Sequence, residues 1–330
     1  MERRPLSTTG VTVSALAMGT MTFGGDADEE AARAMVHRCL DAGIDHFDTA
    51  DVYNGGRSEE ILGRLLEGVR DRVVIATKAY FPSGPGPNDR GSSRRHLLRS
   101  VEASLDRLQT DRVDVFYLHR FDDRACLESS LRALEDLVRS GMVLYPAVSN
   151  FAAWQVAKAL GIQALRSWSP LVAIQPMYNL VKRQAEVELL PMAQAEGLAV
   201  FPYSPLGGGL LSGRYGRTEE RGTGRISDWP IYQMRYGSDT SMAVADEFRA
   251  LAEEVGVHPA ALAVAWVASH PAVTAPLLGA RSLHQLEPLL GATAIEMTPE
   301  LRARIAMLVP TPPPATDRNE EGQVPGPGVR

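Results

Sequence analysis

Residues 72–119 read RVVIATKAYFPSGPGPNDRGSSRRHLLRSVEASLDRLQTDRVDVFYLH. A short β-branched apolar run ends at Lys78 and a turn-rich segment follows. Leu97, Val101, Leu105 and Leu108 then mark one face of a helix, and a second apolar run ends at His119. Ser92 or Ser93 stands where an N-cap is wanted, and Arg94, Arg95 and Arg99 turn outward. Two strands joined by an intervening helix pair in parallel, so this stretch is one βαβ unit of a parallel sheet.

The unit repeats in both directions. Upstream, ALAMG ends at Gly19 and DHFDTA at Ala50; downstream, VLYPAVSN ends at Asn150, LVAIQP at Pro176, LAVFPYS at Ser204 and VTAPLLG at Gly279. Leu127, Leu131, Leu134 and Val138 form another helical stripe, with Gly141 placed to end the helix. Eight such units predict one α/β domain, a (β/α)8 TIM barrel over residues 1–309. A doubly wound sheet would show the same alternation, but no GxGxxG sits between a strand and a helix; the nearest match, Gly222-x-Gly224, has no strand before it. Two segments break the rhythm. Leu206 to Asp239 is a long Gly-rich stretch of the kind that serves as a lid, and the proline-rich tail at 310–330 is expected to be disordered or draped on the surface.

A formal net charge of −6 and a pI near 5.7 leave no global basic field, which argues against nucleic acid as a partner. Cys39 and Cys126, each within an apolar helical pattern, are too few for a disulfide scaffold or a zinc site, so no metal is expected and a reducing cytoplasm fits. The N-terminus lacks the continuous apolar core of a signal peptide, and no apolar run approaches the length of a membrane span. No heptad seam is visible. A monomer is the default, with assembly into a homo-oligomer left open.

In such a barrel the functional side chains gather at the C-terminal ends of the strands. Asp48 ends the second run with Tyr53 five residues on, Lys78 ends the third and His119 the fourth. Each alone has a bland reading, as a cap, a rim aromatic, a solvated strand end or a core imidazole. Together they supply what hydride transfer to a carbonyl needs. Negative charge develops on oxygen, and a phenol can donate the proton if an adjacent ammonium favours the phenolate. Lys78 would tune Tyr53, Asp48 would hold Lys78, and a neutral His119 would orient the carbonyl.

The blocks FDTADVYNGGRSEEILGRLL (47–66), VVIATK (73–78), VDVFYLHRFD (113–122), AVSNFAAWQ (147–155), IQPMYNL (174–180), YSPLGGGLLSGRY (203–215) and LLGARSLHQLEPL (277–289) resemble, in order and spacing, the signature blocks of the aldo-keto reductase superfamily. The resemblance spans roughly residues 4 to 309 and is nearest to the bacterial branch that reduces aldehydes, ketones and keto-sugars. It implies Tyr53 as proton donor with Lys78, Asp48 and His119 as its partners, and NADPH as cofactor. By the same resemblance Ser149, Asn150 and Gln175 hold the nicotinamide carboxamide, Tyr203 stacks on the ring, and Ser204, Leu206 and Gly208 form the pyrophosphate loop. Gly279, Arg281 and Gln285 match the adenosine end, where Arg281 suits a 2′-phosphate. Leu289 departs from the pattern, since it cannot hydrogen-bond adenine. Met21, Phe23, Tyr80, Phe81 and Trp229 are expected to wall a pocket for a partly apolar carbonyl. The alternative function is a nicotinamide-sensing regulatory subunit with slow or no turnover, of the kind found on ion channels within the same superfamily.

Overall fold

The computed structural model describes residues 1–216 and 224–316. An antiparallel hairpin, β1 (Arg3–Pro5) and β2 (Thr12–Ser14), precedes the barrel. Its eight strands are β3 (Ala17–Gly19), β4 (His46–Asp48), β5 (Val74–Ala79), β6 (Val113–Leu118), β7 (Val143–Ser149), β8 (Ala173–Gln175), β9 (Ala199–Val200) and β10 (Leu277–Leu278). All pair in parallel in the order β10-β3-β4-β5-β6-β7-β8-β9. The ring closes through backbone bonds from Ala275 N to Val200 O (3.3 Å) and from Leu277 N to Pro202 O (2.9 Å). The (β/α)8 barrel read from the sequence is therefore the fold.

Successive side chains on a strand face opposite ways, and the sequence exploits this period. Val74, Ala76, Val115, Tyr117, Ala147, Ala173, Ala199 and Phe201 fill the barrel interior, while Leu6 and Val13 of the hairpin pack into the same cluster. The alternate residues Phe47, Ile75, Phe116, Leu118, Val148, Ile174 and Val200 face the helices and belong to the larger core between barrel and helix ring. Lys78 continues the inward series of Val74 and Ala76, His119 that of Val115 and Tyr117, and Gln175 that of Ala173. Parity alone thus brings the polar strand ends to one mouth of the barrel.

The helices are α1 (Glu29–Asp41), α2 (Arg57–Leu65), α3 (Arg94–Leu108), α4 (Leu127–Arg139), α5 (Ala153–Arg166), α6 (Leu189–Ala195), α7 (Arg225–Asp228), α8 (Pro230–Tyr236), α9 (Asp239–Val255), α10 (Pro259–Ala268), α11 (Leu283–Leu290) and α12 (Pro299–Ala306). Ser93 caps α3 by accepting from His96 N, which settles the choice between Ser92 and Ser93. Gly141 follows α4 with φ +80°, in the left-handed conformation that terminates helices. Cys39 is buried in α1 as expected, whereas Cys126 precedes α4 and is exposed.

The long segment from Leu206 to Asp239 carries more structure than its composition predicts. Leu210, Leu211, Ile226, Tyr232 and Tyr236 are buried, and α7 and α8 lie beside the barrel mouth. Gly222 lies outside the described residues, as does the tail from 317 to 330; residues 310–316 are largely exposed and form no helix or strand. Among the described residues no single helix is long and apolar enough to cross a membrane. The bent pair α9 and α10 passes that test only together, across a 94° break, and α10 is buried in the core.

Candidate active site

The strand ends and their loops surround a cleft of about 1070 Å³. At its base Lys78 is fully buried, and its Nζ donates to Asp48 Oδ1 and to the carbonyl of Thr49, both at 2.5 Å. Tyr53 Oη stands 3.5 Å from the same nitrogen. Gln175 Nε2 donates to the other carboxylate oxygen, Asp48 Oδ2, at 2.8 Å, so both oxygens of the buried carboxylate are engaged. A buried ammonium is tolerated only with such compensation.

Tyr53 reaches this position through a tight turn. Asn54 (φ +50°), Gly55 (φ +67°) and Gly56 (φ +93°) are all left-handed, a run that Asn and Gly supply at least cost. Asn54 Nδ2 then donates to the carbonyls of Met21 (2.9 Å) and Phe23 (2.8 Å), tying the tyrosine turn to the loop after β3. His119 faces Tyr53 edge-on, with ring centroids 6.1 Å apart, and rests against Phe81 at 4.9 Å.

The protonation states follow from these surroundings. Burial pulls the Lys78 ammonium down, but Asp48 and Tyr53 outweigh it and hold its pKa above the ordinary lysine value. Burial raises the Tyr53 phenol, and Lys78 only partly offsets it, so the net direction is up. The lowering pull of the ammonium, expected from the sequence, is present, and desolvation exceeds it. Burial, seconded by Lys78, pushes His119 well below the usual imidazole range, which makes it neutral, and its Nδ1 has no partner among the described residues.

Beside this group, Ser149 Oγ donates to the carbonyl of Gln175 (2.9 Å), Asn150 Nδ2 to the carbonyl of His119 (2.9 Å), and Tyr203 Oη to Asn150 Oδ1 (2.7 Å). Asn150 and Ser204, just past β7 and β9, have φ of +56° and +57°; Asn tolerates this left-handed region, whereas for Ser it is strained, and such strain clusters at functional sites. These donors, acceptors and the Tyr203 ring fit the carboxamide and face of a nicotinamide. Leu206, Gly208, Gly279, Arg281 and Gln285 continue the same cleft wall. Gly208 (φ +69°) has a further reason to be glycine, because a Cβ there would come within 2.6 Å of the Tyr232 ring.

At the far end Arg281 N donates to Gln285 Oε1 (3.1 Å), and its guanidinium pairs with Asp26 at 3.1 Å. Leu289 and Pro288 line this end with His258 and His284. The expected substrate wall needs correction. Met21 and Phe81 line the cleft, but Phe23 is wholly buried in the core, Tyr80 packs edge-on against Phe81 and does not line the cleft, and Trp229 is 49% exposed outside it. Tyr232, three residues beyond Trp229, takes that place. Sequence reasoning also missed Arg120, Arg214, Arg225 and Arg235, all cleft-lining. The position of Arg120 next to His119 is the available signal for the first; Arg225 and Arg235 stand on α7 and α8 and Arg214 on the turn before them, all within a stretch whose composition predicts a loop.

Among the described residues no cluster of His, Cys, Asp or Glu is placed to hold a metal ion. Comparison with known proteins agrees with the geometry. The family model described as aldo/keto reductase family matches residues 15–309. The chain is 38% identical to the uncharacterized oxidoreductase YrpG of Bacillus subtilis over 94% of this chain and 97% of the relative. It is 35% identical to a probable voltage-gated potassium channel subunit beta of Oryza sativa, covering 96% and 99%. It is 31% identical to versiconal hemiacetal acetate reductase of Aspergillus parasiticus, covering 91% and 94%.

Proposed function

The chain belongs to the aldo/keto reductase family, a family of oxidoreductases that use nicotinamide cofactors, and on that premise we propose that it reduces a carbonyl to an alcohol with NADPH, Tyr53 donating the proton. The observation that carries this reading is the buried Asp48–Lys78 pair with Tyr53 Oη 3.5 Å from the ammonium and His119 across the gap.

When bound, the reduced nicotinamide supplies a hydride to the carbonyl carbon. The remaining work falls to the protein. Neutral His119 donates a hydrogen bond to the carbonyl oxygen and orients it, and the Tyr53 hydroxyl delivers its proton to that oxygen as charge develops there. Lys78 stabilises the phenolate left behind, and Asp48 with Gln175 keeps the ammonium charged and in place. Ser149, Asn150 and Gln175 would hold the carboxamide, Tyr203 would stack on the ring, Ser204, Leu206 and Gly208 would cradle the pyrophosphate, and Gly279, Arg281 and Gln285 would read the adenosine end.

Tyr53→Phe tests the assignment. Only the transition state uses the phenol proton, so turnover should fall by about 10²- to 10⁴-fold while NADPH affinity stays near wild type. Wild-type turnover in this variant would mean that the proton comes from elsewhere. The relatives named as channel subunits favour a second reading, a nicotinamide-sensing subunit. Steady-state oxidation of NADPH with simple aldehydes separates the two, since a sensor binds the cofactor with little turnover.

A further inference from the structure

The protein carries a net charge of −6, yet among the described residues five arginines line its cleft: Arg120, Arg214, Arg225, Arg235 and Arg281. Asp48 is the sole carboxylate on that lining among the same residues, and Lys78 neutralises it. Low-dielectric walls focus such a field, so the cleft is built for anions. Part of this charge suits the cofactor. Arg281 stands beside Gln285 at the adenosine end, and Arg214 lies next to Gly224, on the loop that packs against the start of α10. Arg225 stacks over Tyr232, 5.6 Å from its ring centroid.

Arg120 and Arg235 are left over, and they stand at the catalytic end. Arg120 directly follows His119 at the end of β6. Arg235, in the last turn of α8, lies 5.9 Å from the Tyr232 ring and close enough to Tyr203 to counter the burial that pushes that phenol up to about 12. Tyr203 bonds Asn150, which bonds the His119 carbonyl, so one chain of hydrogen bonds joins the residue that Arg235 approaches to the residue that Arg120 follows. Neither has an ion-pair partner among the described residues, whereas arginines elsewhere on the surface commonly do, as Arg38 with Glu287 and Arg304 with Glu254.

We propose that the carbonyl substrate is an anion, an aldehyde or ketone bearing a carboxylate or phosphate that Arg120 and Arg235 receive while its carbonyl meets Tyr53 and His119. The proposal rests on the reductase reading and narrows it to a substrate class. A guanidinium grips either group with paired charge-assisted hydrogen bonds. The redox step is unchanged: hydride to carbon, proton from Tyr53 to oxygen, oxidised cofactor released.

Two matched pairs test it with NADPH in excess: succinic semialdehyde against butanal for the carboxylate, and glyceraldehyde 3-phosphate against glyceraldehyde for the phosphate. The wild type should favour the charged member of at least one pair by about 10- to 100-fold in kcat/KM, the worth of one charged hydrogen bond. Arg120→Met and Arg235→Met should each shrink that ratio, mainly through KM, with Lys at either position restoring part of it and added salt eroding it. The pair that shows the preference identifies the anionic group. Faster reduction of both neutral members overturns the proposal and leaves the reductase reading intact. Arginine variants that weaken NADPH in a fluorescence titration but keep the charged-to-neutral ratio also overturn it, by giving these residues to the cofactor. Failure to reduce any of the four carbonyls refutes the reductase reading itself, and the proposal falls with it.

Discussion

If Arg281 reads the 2′-phosphate, it must first leave Asp26, and the two energies can be compared. The Arg281–Asp26 pair spans 3.1 Å with side chains 29% and 37% exposed, a geometry worth about 0–1 kcal/mol in salt-screened water. Hydrogen bonds from a guanidinium to a phosphate are worth about 1.5–3 kcal/mol. The phosphate therefore wins the exchange by about 0.5–3 kcal/mol, and Arg281→Ala should weaken NADPH by about 2- to 150-fold and leave NADH nearly unchanged. Asp26→Asn removes the competitor without touching the arginine, so it should tighten NADPH by up to about 5-fold. Fluorescence titration of both cofactors against the wild type and both variants, at one ionic strength, reads all of these. Equal losses for NADH and NADPH in Arg281→Ala would show that the residue supports its loop through the Gln285 contact. A weaker NADPH complex in Asp26→Asn would show that Asp26 aims the arginine instead of competing for it. A wild type that prefers NADH would sink the assignment of NADPH.

Lys78→Met should lower turnover by about 10²-fold or more and shift the remaining phenolate chemistry to higher pH, since Tyr53 keeps its burial and loses its cation; an unchanged pH profile would refute the tuning role. Burial, with Glu59 nearby, raises the Asp51 carboxyl from 3.8 to about 7, and neither of its oxygens has a partner among the described residues. A carboxyl with a raised folded pKa binds its proton more tightly in the folded state. Stability from this group is therefore fully present below about pH 4 and declines as pH rises towards 7, by on the order of 4 kcal/mol. Asp51→Asn should flatten that decline in urea denaturation at pH 5 and pH 8, and an identical pH slope in both proteins would contradict the placement. Alcohol oxidation, which needs the phenolate, should accelerate as pH rises past the ordinary phenol range, whereas carbonyl reduction should be flat near neutrality; the opposite trends would reverse the proton assignment.

The barrel and its mouth were legible in the sequence because both follow from a period of two along the strands. Once Val74 and Ala76 are inside, Lys78 is inside; once Val115 and Tyr117 are, His119 is. What parity does not decide is the conformation between strands. Phe23 lies only four residues past β3, yet the loop folds it into the core through the bonds that Asn54 makes behind it, and the sequence shows no mark of that. Trp229, just before α8, and Tyr232 within it present the same difficulty, since the face of α8 towards the cleft is set by Tyr232 and Tyr236 packing on Gly208. The motif at 277–289 marks Gly279, Arg281 and Gln285 as a set, and all three line the cleft. The Asp26 contact was not legible, because it joins residues 255 positions apart through two loops.

The charge state of the catalytic group bears on which of the two family readings the molecule serves. Moving an ammonium and a carboxylate out of water costs several kcal/mol per ion, and their mutual attraction repays it only with good geometry and further hydrogen bonds. Lys78 and Asp48 have both, through Thr49 and Gln175, yet an apolar pair would fill the same space without that cost. A site that merely registered the cofactor could use such a pair, since Ser149, Asn150 and Tyr203 would make the proposed nicotinamide contacts without Lys78. What the buried ammonium adds is a place for a phenolate to form 3.5 Å away. With Tyr53 protonated, Lys78 charged and His119 neutral, the group holds one transferable proton on the hydroxyl that faces the cleft. That arrangement supports the proposed delivery of a proton to a carbonyl oxygen, and cofactor sensing alone gives no physical reason to maintain it.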